Sequence, residues 1–260
     1  MLSLLIKYAK KLLTLLIVAA LFTTAGYCYE QKDQYIKYSI EETIEVVNNR
    51  ACEVIVRVGE YNNKPGKRIY LNEVDIRFKD IPTDIKIHSD SHGAYIHEYD
   101  INLKDGKALV EALRANGVNA QLQFTDMKSQ DLNAAGRIAN KSNPYLYVSI
   151  HHNYYDSNAN GYFAMYNPND NNSKVIADKL SNAIANNGLV RQRESQQNTG
   201  YIGELNVLNK STTGVLLELG FFSNGEELKN ICSDNYVNYV SNKLADELTK
   251  ILNEQYRKGM

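Results

Sequence analysis

The 260-residue chain has no Trp, only four Pro, and no excess of charge of either sign. A formal net charge of -1 excludes the basic surface that nucleic-acid binding needs, so no nucleic-acid partner is expected. The three cysteines, Cys28, Cys52 and Cys232, contain no C-x-x-C pair and therefore predict no cysteine-based metal site. A disulfide between Cys28 and Cys52 and a fully reduced set are both compatible with the sequence. At 43% hydrophobic and 23% charged residues, the composition is that of a globular protein with one sizeable core.

The N-terminus has the pattern of a targeting segment. Basic residues up to Lys11 precede an apolar run at 12–22 and small residues at 23–26. This order predicts a secretory signal peptide within residues 1–29, with an uncleaved membrane anchor as the alternative. The rest of the chain is then expected to work outside the cytoplasmic membrane, extracellularly or in the cell envelope, and to contact a membrane only through an uncleaved N-terminal segment.

Residues 30–84 form an N-terminal extension whose role the sequence leaves open. Two alternating stretches, 53–58 and 68–78, flank the turn-forming sequence Asn-Asn-Lys-Pro-Gly at 62–66. Alternation on both sides of such a turn predicts a β-hairpin.

From residue 85 onward, apolar stretches of strand length alternate with helical patterns. Such an order predicts an α/β fold with a largely parallel, twisted sheet and helices on both faces. The predicted strands are 85–87, 118–124, 145–150, 161–166, 205–208 and 214–222, and the predicted helices are 95–116, 131–140, 173–187 and 234–256.

The stretch from Pro144 to Asn153 is central to the functional prediction. A buried strand at 145–150 ends on His151, His152 and Asn153. Ligands of open α/β sheets sit beyond the carboxyl ends of the strands. His151 is therefore a candidate metal ligand or acid–base group, although a polar residue at a strand end is also compatible with a structural role.

Glu218 lies within the almost entirely apolar sequence Val-Leu-Leu-Glu-Leu-Gly-Phe-Phe. An ionised carboxylate is costly to bury without a partner. Glu218 is therefore either paired with a buried Arg, for which Arg137 is a candidate, or held with a raised pKa that suits proton transfer near neutral pH.

The five histidines all lie between residues 88 and 152, and Glu98 opens a predicted helix beside them. A carboxylate in a first helical turn also has a structural explanation, because it interacts favourably with the helix dipole. Two imidazoles and one carboxylate, however, are a ligand set typical of catalytic zinc, with water as the fourth ligand.

Four segments together resemble the zinc-dependent N-acetylmuramoyl-L-alanine amidases of the amidase-3 family. The resemblance runs from about Ile85 to Leu252. The segments are Glu-Tyr-Asp-Ile-Asn-Leu at 98–103, Arg-Ile-Ala-Asn at 137–140, Ser-Ile-His-His-Asn at 149–153 and Val-Leu-Leu-Glu-Leu-Gly-Phe-Phe-Ser-Asn at 215–224. Residues 85–260 are accordingly predicted to be the catalytic domain.

The resemblance implies a role for several residues. It makes His151 and Glu98 zinc ligands and Glu218 the catalytic carboxylate. The family's first ligand is a His after the first strand, and here His92 fits its local pattern and His88 a longer loop; His97 is too close to Glu98. The chain departs from the family because Glu98 follows His92 after only six positions.

By resemblance, the chain is a zinc-dependent bacterial peptidoglycan hydrolase that cleaves the amide between N-acetylmuramic acid and L-alanine. Asn153 and the polar loop at 191–204 are candidates for substrate binding. The alternatives are a non-catalytic wall-binding or regulatory domain on the same fold, and a zinc peptidase with another amide substrate. A purely structural role would leave the buried Glu218 unexplained. The oligomeric state is left open.

Overall fold

The computed structural model describes residues 52–59, 67–123, 132–199 and 202–255. The predicted signal peptide and the predicted turn at 62–66 lie outside these ranges. The described strands are β1 (Val54–Val58), β2 (Arg68–Tyr70), β3 (His88–Asp90), β4 (Gly93–His97), β5 (Ala120–Gln123), β6 (Leu146–Asn153), β7 (Phe163–Tyr166), β8 (Gln196–Gln197) and β9 (Thr213–Phe221). The described α-helices are α1 (Glu98–Ala115), α2 (Leu132–Ser142), α3 (Asn171–Ala183), α4 (Gly203–Asn206), α5 (Gly225–Cys232) and α6 (Asp234–Gln255).

The main sheet has six strands in the order β5-β1-β6-β9-β7-β8. The first four strands of this order pair in parallel, and β7 pairs antiparallel to β9. Each of the central strands β6 and β9 begins with five consecutive buried residues, as expected for strands covered on both faces. The prediction of a largely parallel α/β sheet is confirmed.

Helices cover both faces of this sheet. On β1, Val54, Val56 and Val58 point to one face, whereas Ile55 points to the other, because successive side chains alternate along a strand. The larger apolar cluster unites the first face with helices α1, α3 and α6. The smaller cluster unites the second face with α2 and α4.

Strand β1 corrects two sequence predictions. It pairs in parallel with β5 and β6, whereas β2 pairs antiparallel with β4 in a separate three-stranded sheet, β2-β4-β3. The predicted hairpin between 53–58 and 68–78 is therefore wrong, and the predicted boundary at residue 85 divides the main sheet. An alternating pattern gives a strand but not its partner, because pairing is decided by long-range packing.

Two of the predicted strands are wrong. Residues 85–87 are not a strand; β3 begins at His88, and β4 occupies the start of the predicted helix, so α1 begins at Glu98. The segment 203–206, where a strand was predicted from residue 205, is the short helix α4, which packs against α2. None of the helices within the described ranges is long and apolar enough to cross a bilayer.

Candidate active site

The candidate site lies at the carboxyl ends of the central strands. His151 of β6 is the register partner of Glu218 on β9, and Glu218 is the partner of Phe163 on β7. Paired residues of neighbouring strands point to the same face of a sheet, so these three residues form one row across it.

Glu98, the first residue of α1, brings a second carboxylate to this row. The chain enters α1 directly from β4, and the Glu98 amide donates to the carbonyl of Lys67, 3.1 Å away, just before β2. Only 3% of Glu98 is exposed. Its Oε1 atom lies 2.7 Å from Nδ1 of His151 and accepts a hydrogen bond from the Asn102 amide at 3.1 Å. Glu98 and His151, which the resemblance makes zinc ligands, are therefore in direct contact.

Arg57 fixes the ring of His151. Its Nη1 lies 2.9 Å from Nε2 of His151, and a guanidinium can only donate, so Nε2 accepts. In the neutral imidazole the proton is then on Nδ1, which donates to Glu98. Arg57 is fully buried and forms an ion pair with buried Glu204 of α4 at 2.9 Å.

Lys67 covers the other oxygen of Glu98, with its Nζ 2.5 Å from Oε2. Burial by itself would raise the pKa of Glu98, but the Lys67 ammonium and the hydrogen bond from His151 hold that pKa far below its usual range. Glu98 is therefore an ionised carboxylate, and its negative charge is shared between Lys67 and His151.

Glu218 has a different environment. Burial, reinforced by the negative charge of Glu98, raises the pKa of Glu218 to about 7, although His151 and Lys67 oppose the shift. Its Oε2 atom is buried and has no hydrogen-bond partner within the described ranges. The suggested counter-ion Arg137 is exposed on α2, so it does not pair with Glu218 as a buried partner. A carboxyl group that changes charge near neutral pH is suited to general acid–base chemistry.

A buried chain of polar residues supports Glu98 from behind. Nδ1 of His152 donates to Oδ1 of Asn102, 2.8 Å away, which leaves the Asn102 amide to donate to Glu98. Burial lowers the pKa of His152 to about 3, so the ring is neutral. His152 is thus a structural partner, and the adjacent His151 is the one that reaches the site.

The structure does not bring His92 to Glu98 and His151. His92 lies in the turn between β3 and β4, with 76% of its side chain exposed. Strand β4 separates it from Glu98 by about 16 Å. The alternative, His88, places its Nε2 2.9 Å from the Asp100 carboxylate instead. Both hypotheses depended on 85–87 being the first strand; the first strand of the main sheet is β1, and the sequence has no His between it and His88.

The fit of this site to zinc is partial. Carboxylate and imidazole are donors that zinc accepts, and the Glu98 carboxylate and the His151 ring lie in direct contact. No group of three His, Cys, Asp or Glu residues in the described part of the chain could hold a metal ion. Lys67 and Arg57 also contact the two donors, so positive charge is already present where an ion would bind.

Asn153 lies at the end of β6 and lines a groove of about 490 Å³ beside this site. Part of the polar loop that was predicted to border the substrate also lines it, through Arg191, Arg193 and Gln196. The aromatic residues of the groove are Tyr155, Phe163 and Phe221, so Phe supplies most of the wall.

Three residues of the site were missed in the sequence. Arg57 was detectable, because it interrupts the apolar strand Val-Ile-Val-Arg-Val just as Glu218 interrupts its own strand. Asn102 lies one helical turn after Glu98 and on the same face of α1. For Lys67 the sequence offers no signal, since the pairing of β2 with β4 brings it to the site.

A histidine and a carboxylate on neighbouring strands at the edge of an open α/β sheet, with a second carboxylate against the histidine, form a site suited to acid–base chemistry on a bound substrate. Comparison with known proteins makes the assignment specific. The family model of the N-acetylmuramoyl-L-alanine amidases matches residues 87–250, more than half of the chain, and the chain belongs to this family. Membership supports hydrolysis of a peptidoglycan amide bond and does not favour the non-catalytic alternative.

Solved structures share the fold. AmiC2, an N-acetylmuramoyl-L-alanine amidase of Nostoc punctiforme, is 23% identical with a TM-score of 0.56, over 78% of this chain and 98% of that one. An N-acetylmuramoyl-L-alanine amidase from Clostridium difficile 630 is 20% identical with a TM-score of 0.59, over 79% and 100%. The catalytic domain of CwlV from Bacillus (Paenibacillus) polymyxa var. colistinus is 19% identical with a TM-score of 0.58, over 77% and 98%. No curated protein sequence matches the chain.

Proposed function

We propose that this protein cleaves the amide bond between N-acetylmuramic acid and L-alanine in peptidoglycan, with Glu218 as the group that moves protons. The observation that carries the proposal is the position of Glu218. It is the neighbour of His151 in the row across the sheet, and burial raises its pKa to about 7. A carboxylate with such a pKa can accept a proton from water and return it near neutral pH.

Each residue around Glu218 has a defined part in this chemistry. Glu218 takes a proton from the attacking water and delivers it to the nitrogen of the leaving L-alanine. Arg57 holds the His151 ring through Nε2, and Asn102 holds the Glu98 carboxylate through Oε1. Residues held in this way keep the geometry that the transition state needs.

Zinc is part of the proposal as the family's metal. Glu98 and His151 would hold it. When bound, zinc lowers the pKa of a water ligand and polarises a carbonyl group. Lys67 competes for the same carboxylate, because its ammonium lies against Oε2 of Glu98.

We also propose that the protein is exported. Peptidoglycan lies outside the cytoplasmic membrane, and the basic, apolar and small residues of the first 29 positions have the order of a signal peptide. Mass spectrometry of the protein recovered from the cell envelope and the medium tests this. A mature N-terminus near residue 26 is expected, and an intact N-terminus in the cytoplasmic fraction contradicts it.

The activity is tested with purified protein and peptidoglycan sacculi. We expect release of stem peptides that carry a new free L-alanine amine, and loss of this release when a chelator removes zinc. Zinc content is measured on the same sample by elemental analysis. Release of fragments with reducing sugar ends, or cleavage within the stem peptide, would contradict the assigned bond. Release that persists without any metal would contradict the part of the proposal that concerns zinc.

A further inference from the structure

A groove with two arginines borders the row formed by His151, Glu218 and Phe163. It is formed where the loop that carries Arg191 and Arg193 runs along β7 and the end of β9. Phe163 belongs both to the groove and to the row that contains His151 and Glu218. The groove is therefore continuous with the row at Phe163.

Arg193 is held in a fixed position over two aromatic rings. Its guanidinium carbon lies 5.7 Å from the centre of the Phe163 ring and 5.5 Å from that of Phe221. A guanidinium stacked on aromatic faces keeps its N–H edge free to bind a planar acceptor.

The backbone of the loop is pinned as well. The Tyr162 amide donates to the carbonyl of Arg191 at 2.9 Å, and the Arg193 amide donates to the carbonyl of Tyr162 at 2.8 Å. Gly161, with a φ of 101°, allows this close approach, since a Cβ there would lie 2.9 Å from both the Arg191 carbonyl oxygen and the Arg193 side chain. Because the loop is fixed, Arg193 is pre-organised for a ligand.

The two guanidinium groups form no ion pair within the described part of the chain. Glu227 is close enough for both arginines to lower its pKa, although burial raises that pKa overall. Its two oxygens already accept hydrogen bonds from the backbone amides of Gly161 and Phe221. Asp156 also lines the groove, and its Oδ1 accepts hydrogen bonds from the backbone amides of Asn158 and Ala159. Two guanidinium groups against this one carboxylate leave positive charge that a carboxylate of a ligand can neutralise.

The strand spacing indicates which residue of a bound stem peptide lies near Arg193. Neighbouring strands lie about 4.8 Å apart, which places Phe163 about 7 Å from the midpoint of His151 and Glu218. Two residues of extended peptide span about 7 Å. If the scissile amide lies at that midpoint, the second residue of the stem peptide reaches Arg193.

We propose that Arg193, assisted by Arg191, binds the free α-carboxylate of the second stem-peptide residue, a D-glutamate linked through its side chain, and so selects stem peptides in which this group is not amidated. This inference rests on the proposed function, because it needs the L-alanine amide to lie between His151 and Glu218. It assigns a preference for an anionic substrate to residues outside the proton-transfer machinery.

The test uses two synthetic substrates that differ in one group. One is N-acetylmuramoyl-L-Ala-γ-D-Glu-L-Lys, and the other carries a carboxamide in place of the α-carboxylate of D-glutamate. We expect kcat/KM of the wild-type protein to be at least about tenfold higher for the acid. Arg193→Gln should lower the acid to the level of the amide and leave the amide unchanged, and exposed Arg191→Gln should act in the same direction but less. Lys250→Gln on α6 removes the same charge far from the groove and should change neither value.

A binding measurement separates this inference from the proposed function. Calorimetry is performed with the two released tripeptides and with wild-type and Arg193→Gln protein. If neither substrate is hydrolysed but the acidic tripeptide binds more tightly and loses this preference in Arg193→Gln, the subsite stands and the proposed function falls. If acid and amide are hydrolysed equally, or Arg193→Gln slows both alike, the subsite is overturned and the proposed function stands.

Discussion

The two sides of the candidate site treat their carboxylates in opposite ways. Glu98 is saturated, with Lys67 on one oxygen and His151 and Asn102 on the other. Glu218 is the register partner of His151 on the neighbouring strand β9. Its Oε2 atom has no hydrogen-bond partner in the described ranges. Saturation keeps the pKa of Glu98 far below its usual range, whereas burial without a partner raises that of Glu218 to about 7. The comparison separates a group that holds charge from a group that can exchange a proton.

Substitution of Glu218, the group that can exchange a proton, should have the largest effect on activity. Glu218→Gln keeps the size of the side chain but cannot accept a proton. We expect kcat for the release of L-alanine-terminated stem peptides to fall by about 10³-fold, with binding to sacculi retained, because general acid–base groups contribute about 10² to 10⁴. Glu226→Gln, at an exposed position at the start of α5, is the control. Wild-type turnover by Glu218→Gln would remove Glu218 from the mechanism.

Removal of a residue that holds the Glu98–His151 side of the site in place should lower the free energy of unfolding. Glu204→Gln removes the carboxylate charge that pairs with the fully buried Arg57 at 2.9 Å, and breaking a buried pair costs about 3 kcal/mol of unfolding free energy. Urea denaturation of this variant is compared with that of Glu111→Gln, which alters an exposed position of α1. The double variant Arg57→Met/Glu204→Leu should recover most of the loss. A Glu204→Gln protein as stable as the wild type would show that the pair does not support the site.

The raised pKa of Glu218 should also make stability depend on pH in the metal-free protein. The folded state binds this proton more tightly than the unfolded chain, whose carboxyl group has a pKa near 4.5. The stabilising contribution is therefore complete below pH 4.5 and is lost as the pH rises through about 7. Because Glu218 is partly exposed, we expect Glu218→Gln to gain about 2 kcal/mol over the wild type between pH 4 and pH 8. Chemical denaturation at both pH values measures the difference, and a constant difference would contradict the raised pKa.

The same contrast explains which residues of the site could be predicted from the sequence. His151 was predicted because an ionisable residue at the end of a buried strand is visible in a one-dimensional pattern. Glu218 was predicted because a carboxylate inside an apolar run is visible in the same way. The parallel order of the strands was predicted from the alternation of strands and helices. Arg57 carried the same signal, but its strand was assigned to a hairpin, since two alternating segments around a turn suggest each other as partners.

The rest of the site depends on pairing between segments that are distant in the chain. His92 was predicted as a ligand from its local sequence pattern, despite its short spacing to Glu98. Strand β4 extends between the two residues and carries His92 away from Glu98. Lys67 was not considered, although the pairing of Arg68 with His97 places it against Glu98. Local sequence does not encode which strands of a small antiparallel sheet pair, so neither the position of His92 nor that of Lys67 could be predicted from the sequence alone.

The smallest expected effect concerns Lys67 and its positive charge beside Glu98. If its ammonium competes with a divalent cation for Glu98, Lys67→Met should bind zinc about tenfold more tightly, because an ion then enters without displacing a salt bridge. Competition with a chromophoric chelator measures the affinity without any need for activity. Lys79→Met, at an exposed position far along the chain from Glu98, should leave the affinity unchanged. Weaker zinc binding by Lys67→Met would contradict this competition and would show that Lys67 helps to position Glu98 for the metal.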